Sequence, residues 1–212
     1  MPAIIHAEPD DADRRLRALG LDRESLIEAV KACVAARSGC TDNDVQSAPG
    51  TVAWHATVRR LRELYRTRGW EKANLEGIEG IEHPDLRIRV TYVATDQHTG
   101  RPNASPRNRT PKGPAEEKVV DLNSQFDLFG DDTRARTSES YDGYSVWHLC
   151  VFDDGNAVRA ELSRPIAFRD GRVIAFSERI FLLGPGDWEE LDLTSDDDGG
   201  HDDLDIDVRR KA

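Results

Sequence analysis

Cysteine is scarce in this 212-residue chain, and its three cysteines show no close pairing pattern. A disulfide framework is not expected. Cys33 falls on an apolar helix face and Cys150 in an apolar strand, so both read as small core residues. No run of about 18 apolar residues occurs, which excludes a membrane-crossing helix. The opening residues, Met1-Pro2-Ala3-Ile4-Ile5-His6-Ala7-Glu8, lack the basic start and long apolar stretch of a secretory signal. The chain reads as cytoplasmic and soluble, with no membrane partner. Apolar residues make up 38% of it and charged residues 33%. One core can form at that ratio, and part of the chain is expected to stay outside it.

Several chemical signatures are also missing. There is no Gly-x-x-x-x-Gly-Lys phosphate loop, and Gly77 and Gly80 do not make a dinucleotide fingerprint. Ser163 lacks the Gly-x-Ser-x-Gly setting of a hydrolase nucleophile. His148 and Cys150 stand two apart on a strand and share a face. No Cys-x-x-Cys or His-Glu-x-x-His accompanies them, so they read as core rather than metal ligands. No cofactor and no metal site is expected. His83 and His98 fall in loops without a partner that spacing can name.

Charge is abundant but uneven. The net charge is −11, and residues 187–212 hold eleven acidic and three basic side chains. The body is near neutral and the tail carries the acid. Such a tail reads as disordered, with Trp188 able to dock. Bulk charge of this sign is not that of a typical duplex-DNA binder.

Periodicity then sets the fold. Pro9 to Gly20 reads as a short helix with acids in its first turn. Asp22 caps a second, whose stripe is Leu26, Ile27, Val30, Cys33 and Val34. Thr51 is placed as the cap of a third, running to about Arg68 with Trp54, Val58, Leu61, Leu64 and Tyr65 on its apolar face. Leu86, Ile88, Val90 and Tyr92 alternate with polar residues as a half-buried strand, with Ile78 and Ile81 in a preceding one. Residues 96–113 read as an exposed basic loop, 116–122 as a short helix or strand, and 123–142 as a linker. Tyr144 to Phe152 is an apolar strand. Ala157 to Ser163 follows it, and Pro165 marks an edge or bend. Asp170-Gly171 turns a final hairpin into Val173–Leu182. The expected fold is α+β: N-terminal helices packed on an antiparallel β-meander. Residues 1–186 form one domain with an exposed linker at about 96–142, and 187–212 form the acidic tail.

Three stretches point toward function. Gln125-Phe126-Asp127-Leu128-Phe129 resembles the bacterial sliding-clamp-binding pentapeptide, Gln-Leu-Ser/Asp-Leu-Phe, with Phe126 in place of Leu. Leu128 and Phe129 are adjacent bulky groups suited to one apolar pocket, worth roughly 1.5–3 kcal/mol each before ordering costs. Gln125 offers an amide donor and acceptor to set register. The competing reading makes Phe126, Leu128 and Phe129 an anchor of a long loop on the chain's own core, and the alternation of Phe126 and Leu128 fits it. Second, Pro84-Asp85 and Glu116-Glu117-Lys118 resemble the Pro-Asp…Asp/Glu-x-Lys pattern of metal-dependent nucleases. That resemblance implies Asp85 and Glu116 around Mg²⁺ and Lys118 positioning water, against a bland reading as solvated surface. Third, Arg59, Arg62 and Arg66 share a helix face, and Arg107, Arg109 and Lys112 lie in the basic loop. They are candidates for phosphate contact, although Glu63 weakens the patch.

The polar stretch Cys40 to Gly50 resembles a segment of uncharacterised bacterial proteins from prophages and mobile elements. The expected function is a non-enzymatic accessory or adaptor that docks on the replication sliding clamp. A nucleic-acid-processing enzyme and an interaction module using the acidic tail are the rivals.

Overall fold

The computed structural model describes residues 2–129 and 143–195. Along the chain run β1 (Ile4–His6), α1 (Pro9–Ala18), α2 (Arg23–Ser38), α3 (Ala48–Tyr65), β2 (Glu71–Leu75), β3 (Ile78–His83), β4 (Ile88–Ala94), α4 (Pro114–Phe129), β5 (Ser145–Asp153), β6 (Val158–Arg169), β7 (Arg172–Leu183) and α5 (Asp187–Ser195). None of the described helices is long and apolar enough to cross a membrane.

The first three helices form where periodicity and caps place them. In α1, Pro9 opens the first turn, Asp10 and Asp11 follow, and Arg15 and Arg17 close the last, all in favour with the helix dipole. Asp22 caps α2 by accepting the Ser25 amide at 2.8 Å. Helix α3 starts at Ala48, three residues before the expected cap at Thr51, because Pro49 is well placed in a first turn. A short 3-10 turn, Arg66–Arg68, ends at Gly69 in the left-handed region at φ 85°. Trp70 then packs edge-on between Tyr65 and His83.

The sheet is mixed. Seven strands lie in the order β1-β7-β6-β5-β4-β3-β2. Two antiparallel runs, β2–β4 and β5–β7, are joined through a parallel β4–β5 pair, and β1 lies parallel to β7. This corrects the expected antiparallel meander. The cause is α4, which occupies much of what reads as a linker over 96–142. A helix between two strands returns the chain to its starting end, so the next strand pairs parallel. Asn123 shows how firmly α4 is held. It is fully buried, donates to the carbonyls of Val146 (2.8 Å) and Pro165 (3.0 Å), and accepts the Val146 amide at 3.0 Å.

The two faces of the sheet bury different things. Trp147, Leu149, Val151, Leu162 and Ile180 join α1, α2 and α3 in the main core. On the other face Val120 of α4 packs with Cys150, Val173 and Phe176. The loop over 95–113 also lies there. Thr95, Thr99 and Asn108 are buried, and Asn108 bonds the Gly171 carbonyl and the Val173 amide. The loop is exposed along much of its length, as expected, but pinned at these residues. Pro165 sits in an interior strand at a cluster of register shifts, so its effect is a bulge rather than an edge. Helix α5 covers 187–195, where a disordered tail was expected to begin; Trp188 and Leu191 pack on the core. The stretches 130–142 and 196–212 lie outside the described residues.

Gly80 is buried in β3, and a Cβ there would run into the backbone carbonyl of Val90 on β4. Backbone cannot step aside as a flexible side chain can. Gly80→Ala is therefore expected to destabilise the fold by about 2–3 kcal/mol, read as a lowered urea midpoint at unchanged slope.

Candidate functional site

Most of the buried charge lies on the α4 side of the sheet. Thr91, His148, Ser163 and Arg179 are successive cross-strand neighbours on β4, β5, β6 and β7. Each is at most 3% exposed. Two carboxylates serve this row. Glu161 accepts Arg179 Nε at 2.8 Å and Nη2 at 2.6 Å, the Ser163 hydroxyl at 2.6 Å and the Gly100 amide at 2.7 Å. Arg179 also donates to the Ala104 carbonyl at 2.7 Å. A bidentate pair with every carboxylate oxygen occupied is the arrangement under which buried charge is tolerated. Its chemical role is to fasten the 95–113 loop to the sheet.

The second carboxylate is Glu116, in the first turn of α4. Its Oε1 lies 2.7 Å from His148 Nε2, with both side chains buried. The approach is a close contact off the hydrogen-bond axis. Burial pushes the Glu116 carboxyl up, but the charge and contact of His148, with a smaller contribution from Lys112, outweigh it and hold the group below the usual carboxylate value. Cys150, on the same face, is pushed the other way, because burial raises its thiol well above the ordinary value. It is inert core, as its place in an apolar strand suggested.

Glu116 also lines a cleft of about 450 Å³ with Thr91 and Lys112. A second lobe of about 560 Å³ opens beside it at the start of α3, and Trp54, Tyr92 and Lys112 line both. Arg37 and Arg109 border the second lobe. Arg37 pairs with Asp153 at 3.7 Å, and Arg109 donates to the Asp153 carbonyl at 3.1 Å.

The nuclease-like triad is not brought together. Asp85 sits in the turn after β3, whereas Lys118 pairs with Glu76 in the turn before β3. Glu116 faces His148, not Asp85. Among the described residues no group of three or more His, Cys, Asp or Glu could hold a metal ion. The basic candidates divide between the two ends of α3. Arg59 pairs with Glu63. Arg62 is tied to the carbonyls of Gly80 and Ala73 and to the Glu79 carboxylate, so it fastens α3 to the β2–β3 edge. Arg66 is exposed near Lys72, beside a shallow groove. Arg107 is exposed, while Arg109 and Lys112 border the cleft at the other end. Gln125, Phe126, Asp127, Leu128 and Phe129 have a helical backbone as the last turns of α4, and their side chains lie outside the described residues.

Sequence reasoning reached Glu116 and His148 separately but not as a pair, and it missed Glu161 and Arg179. The signal for the latter two was present: charged residues at inward positions of otherwise apolar strands. No known family model, curated protein or solved structure matches the chain.

The lowered Glu116 carboxyl predicts an acid dependence. A depressed folded-state value stabilises the fold above the unfolded value, about 4.3, and that stabilisation is lost as pH falls through the folded value. Glu116→Gln is expected to be less stable than the wild type at pH 7, with the gap closing only below about pH 4.3. Urea unfolding of both proteins from pH 7 to pH 3 checks it.

Proposed function

We infer that this chain is a non-enzymatic accessory or adaptor protein that docks on the bacterial replication sliding clamp through Gln125–Phe129. The observation that carries the reading is the place of the pentapeptide on α4. The residues of α4 that bury against the sheet are Glu116, Val119, Val120 and Asn123. At about 100° per residue, that series continues through positions 126 and 127. Positions 125, 128 and 129 fall on the opposite side of the helix axis. Those three positions hold the Gln, Leu and Phe of the clamp motif. The internal-anchor reading put Phe126, Leu128 and Phe129 on the core; on a helical backbone position 126 stays on the sheet side, while the strand alternation that joined Leu128 to it does not apply.

The pentapeptide forms the C-terminal end of its helix, where few intrahelical bonds need to break for it to adapt to a pocket. An anchor of this size that must be ordered on binding gives an affinity on the order of micromolar.

The test is binding of purified bacterial sliding clamp to the wild type and to Leu128→Ala/Phe129→Ala. Alanine is the best helix former, so far-UV circular dichroism should not change. The wild type is expected to bind with a dissociation constant on the order of micromolar, and the folded double variant at least about tenfold more weakly. No binding by the wild type at tens of micromolar, or an unfolded double variant, would overturn the reading.

A further inference from the structure

The two-lobed cleft at the start of α3 has a charge and hydrogen-bonding character that the docking peptide leaves unused. Its larger lobe takes one cation from α2, Arg37, and two from the pinned loop, Arg109 and Lys112; no carboxylate lines it. Asp153 offsets the charge of Arg37. Arg109 meets only the carbonyl of that residue, and Lys112 lies at the junction of the lobes. Within the larger lobe no carboxylate stands beside Arg109 and Lys112, although Lys112 also faces Glu116 across the junction. The first turn of α3 faces the same space. Its cap residue Ser47 makes no side-chain capping bond, and nothing lies within 4 Å of where a Cβ would project at Gly50. Ala48 and Thr51 donate their amides to the Val45 and Ser47 carbonyls, which leaves the Gly50 amide of that turn to add to the pull on an anion.

The smaller lobe supplies the independent observation. Thr91 is 3% exposed, and its buried hydroxyl has no hydrogen-bond partner among the described residues. A buried unpaired hydroxyl costs about 1–3 kcal/mol, and this one lines the cleft beside the ionised Glu116. Two cations at one end, and a buried hydroxyl with the carboxylates of Glu116, Glu76 and Glu79 at the other, describe a particular chemistry. A carboxylate ligand would bring one negative charge, whereas a phosphomonoester brings close to two at neutral pH.

We propose that this cleft binds the phosphomonoester of a small ligand bearing hydroxyl or amino groups. The phosphate lies against Arg37, Arg109, Lys112 and the first turn of α3, and the ligand's hydrogen-bond donors meet Thr91 and Glu116. The same chemistry is carried by a free mononucleotide and by the 5′-phosphate end of a nucleic-acid strand.

The test is nuclear magnetic resonance titration of the full chain with inorganic phosphate, adenosine monophosphate and a trinucleotide with or without a 5′-phosphate. Saturable shifts are expected at the amides of Gly50, Thr51 and Lys112, with the mononucleotide about tenfold tighter than inorganic phosphate. Arg109→Ala/Lys112→Ala should weaken both by about tenfold or more, and Arg59→Ala/Arg66→Ala should leave both unchanged. Thr91→Val should weaken the mononucleotide but not inorganic phosphate. Should the double variant at the cleft unfold, Lys112→Gln, which keeps the side-chain stem, must still show the loss. A phosphorylated trinucleotide that binds as well as the mononucleotide, with its unphosphorylated form silent, assigns the strand end. Its exclusion assigns the free compound. Absence of saturable shifts at about 20 mM ligand, an affinity far below that of known small-ligand sites, overturns the proposal. Equal loss in both double variants does so too, because it would mark diffuse surface attraction.

Discussion

The Glu161–Arg179 pair is the constraint on which the α4 side of the molecule depends. It lies on two interior strands, fully desolvated, and burying such charges costs several kcal/mol per ion before compensation. Compensation comes from outside the strands. The Gly100 amide and the Ala104 carbonyl complete the pair, and both belong to the loop between β4 and α4. Without that loop in place, a buried carboxylate and a buried guanidinium each lose a partner. The loop and the pair therefore form together. Once pinned, the loop presents Arg109 and Lys112 at the cleft and delivers the first turn of α4 over His148.

Helix α4 then joins the two halves of the sheet. Its return path makes β4 and β5 parallel, and Asn123 ties it to Val146 of β5 and Pro165 of β6. Its two ends differ in character. The first turn is anchored by Glu116 on His148, and the last turns carry the pentapeptide. Nine to thirteen residues separate Glu116 from the pentapeptide, which at 1.5 Å per residue is about 14–20 Å along the axis. A partner held at the C-terminal end leaves the cleft at the N-terminal end open. The proposed docking and ligand sites are thus separable on one helix, and substitutions are expected to remove each without the other.

Local signals carried most of the N-terminal half. The α1 charges, the Asp22 cap and the α2 stripe needed only spacing to be read. The Asp170-Gly171 turn was equally plain, since both residues adopt positive φ. What spacing could not supply was anything decided at long range. The three residues of β1 are too few for a period, and β1 exists because β7 offers an edge. Helix α4 was obscured because its buried face includes Glu116 and Asn123, which read as surface until their partners are seen. Glu161 and Arg179 are 18 residues apart in sequence, and only the β6–β7 register brings them together. For the site, its residues were mostly visible one by one, but their pairings were not.

The direct test of this account is a double-mutant cycle on Glu161→Leu and Arg179→Met, with unfolding free energy and amide exchange over 95–113 as readouts. Each single change should cost about 3 kcal/mol or more by stranding its partner, and the double should cost clearly less than their sum. Loop amides at Thr99 and Gly100 should lose protection in either single variant. Additivity within about 0.5 kcal/mol, with loop protection unchanged, would contradict the claim that the pair and the loop depend on one another.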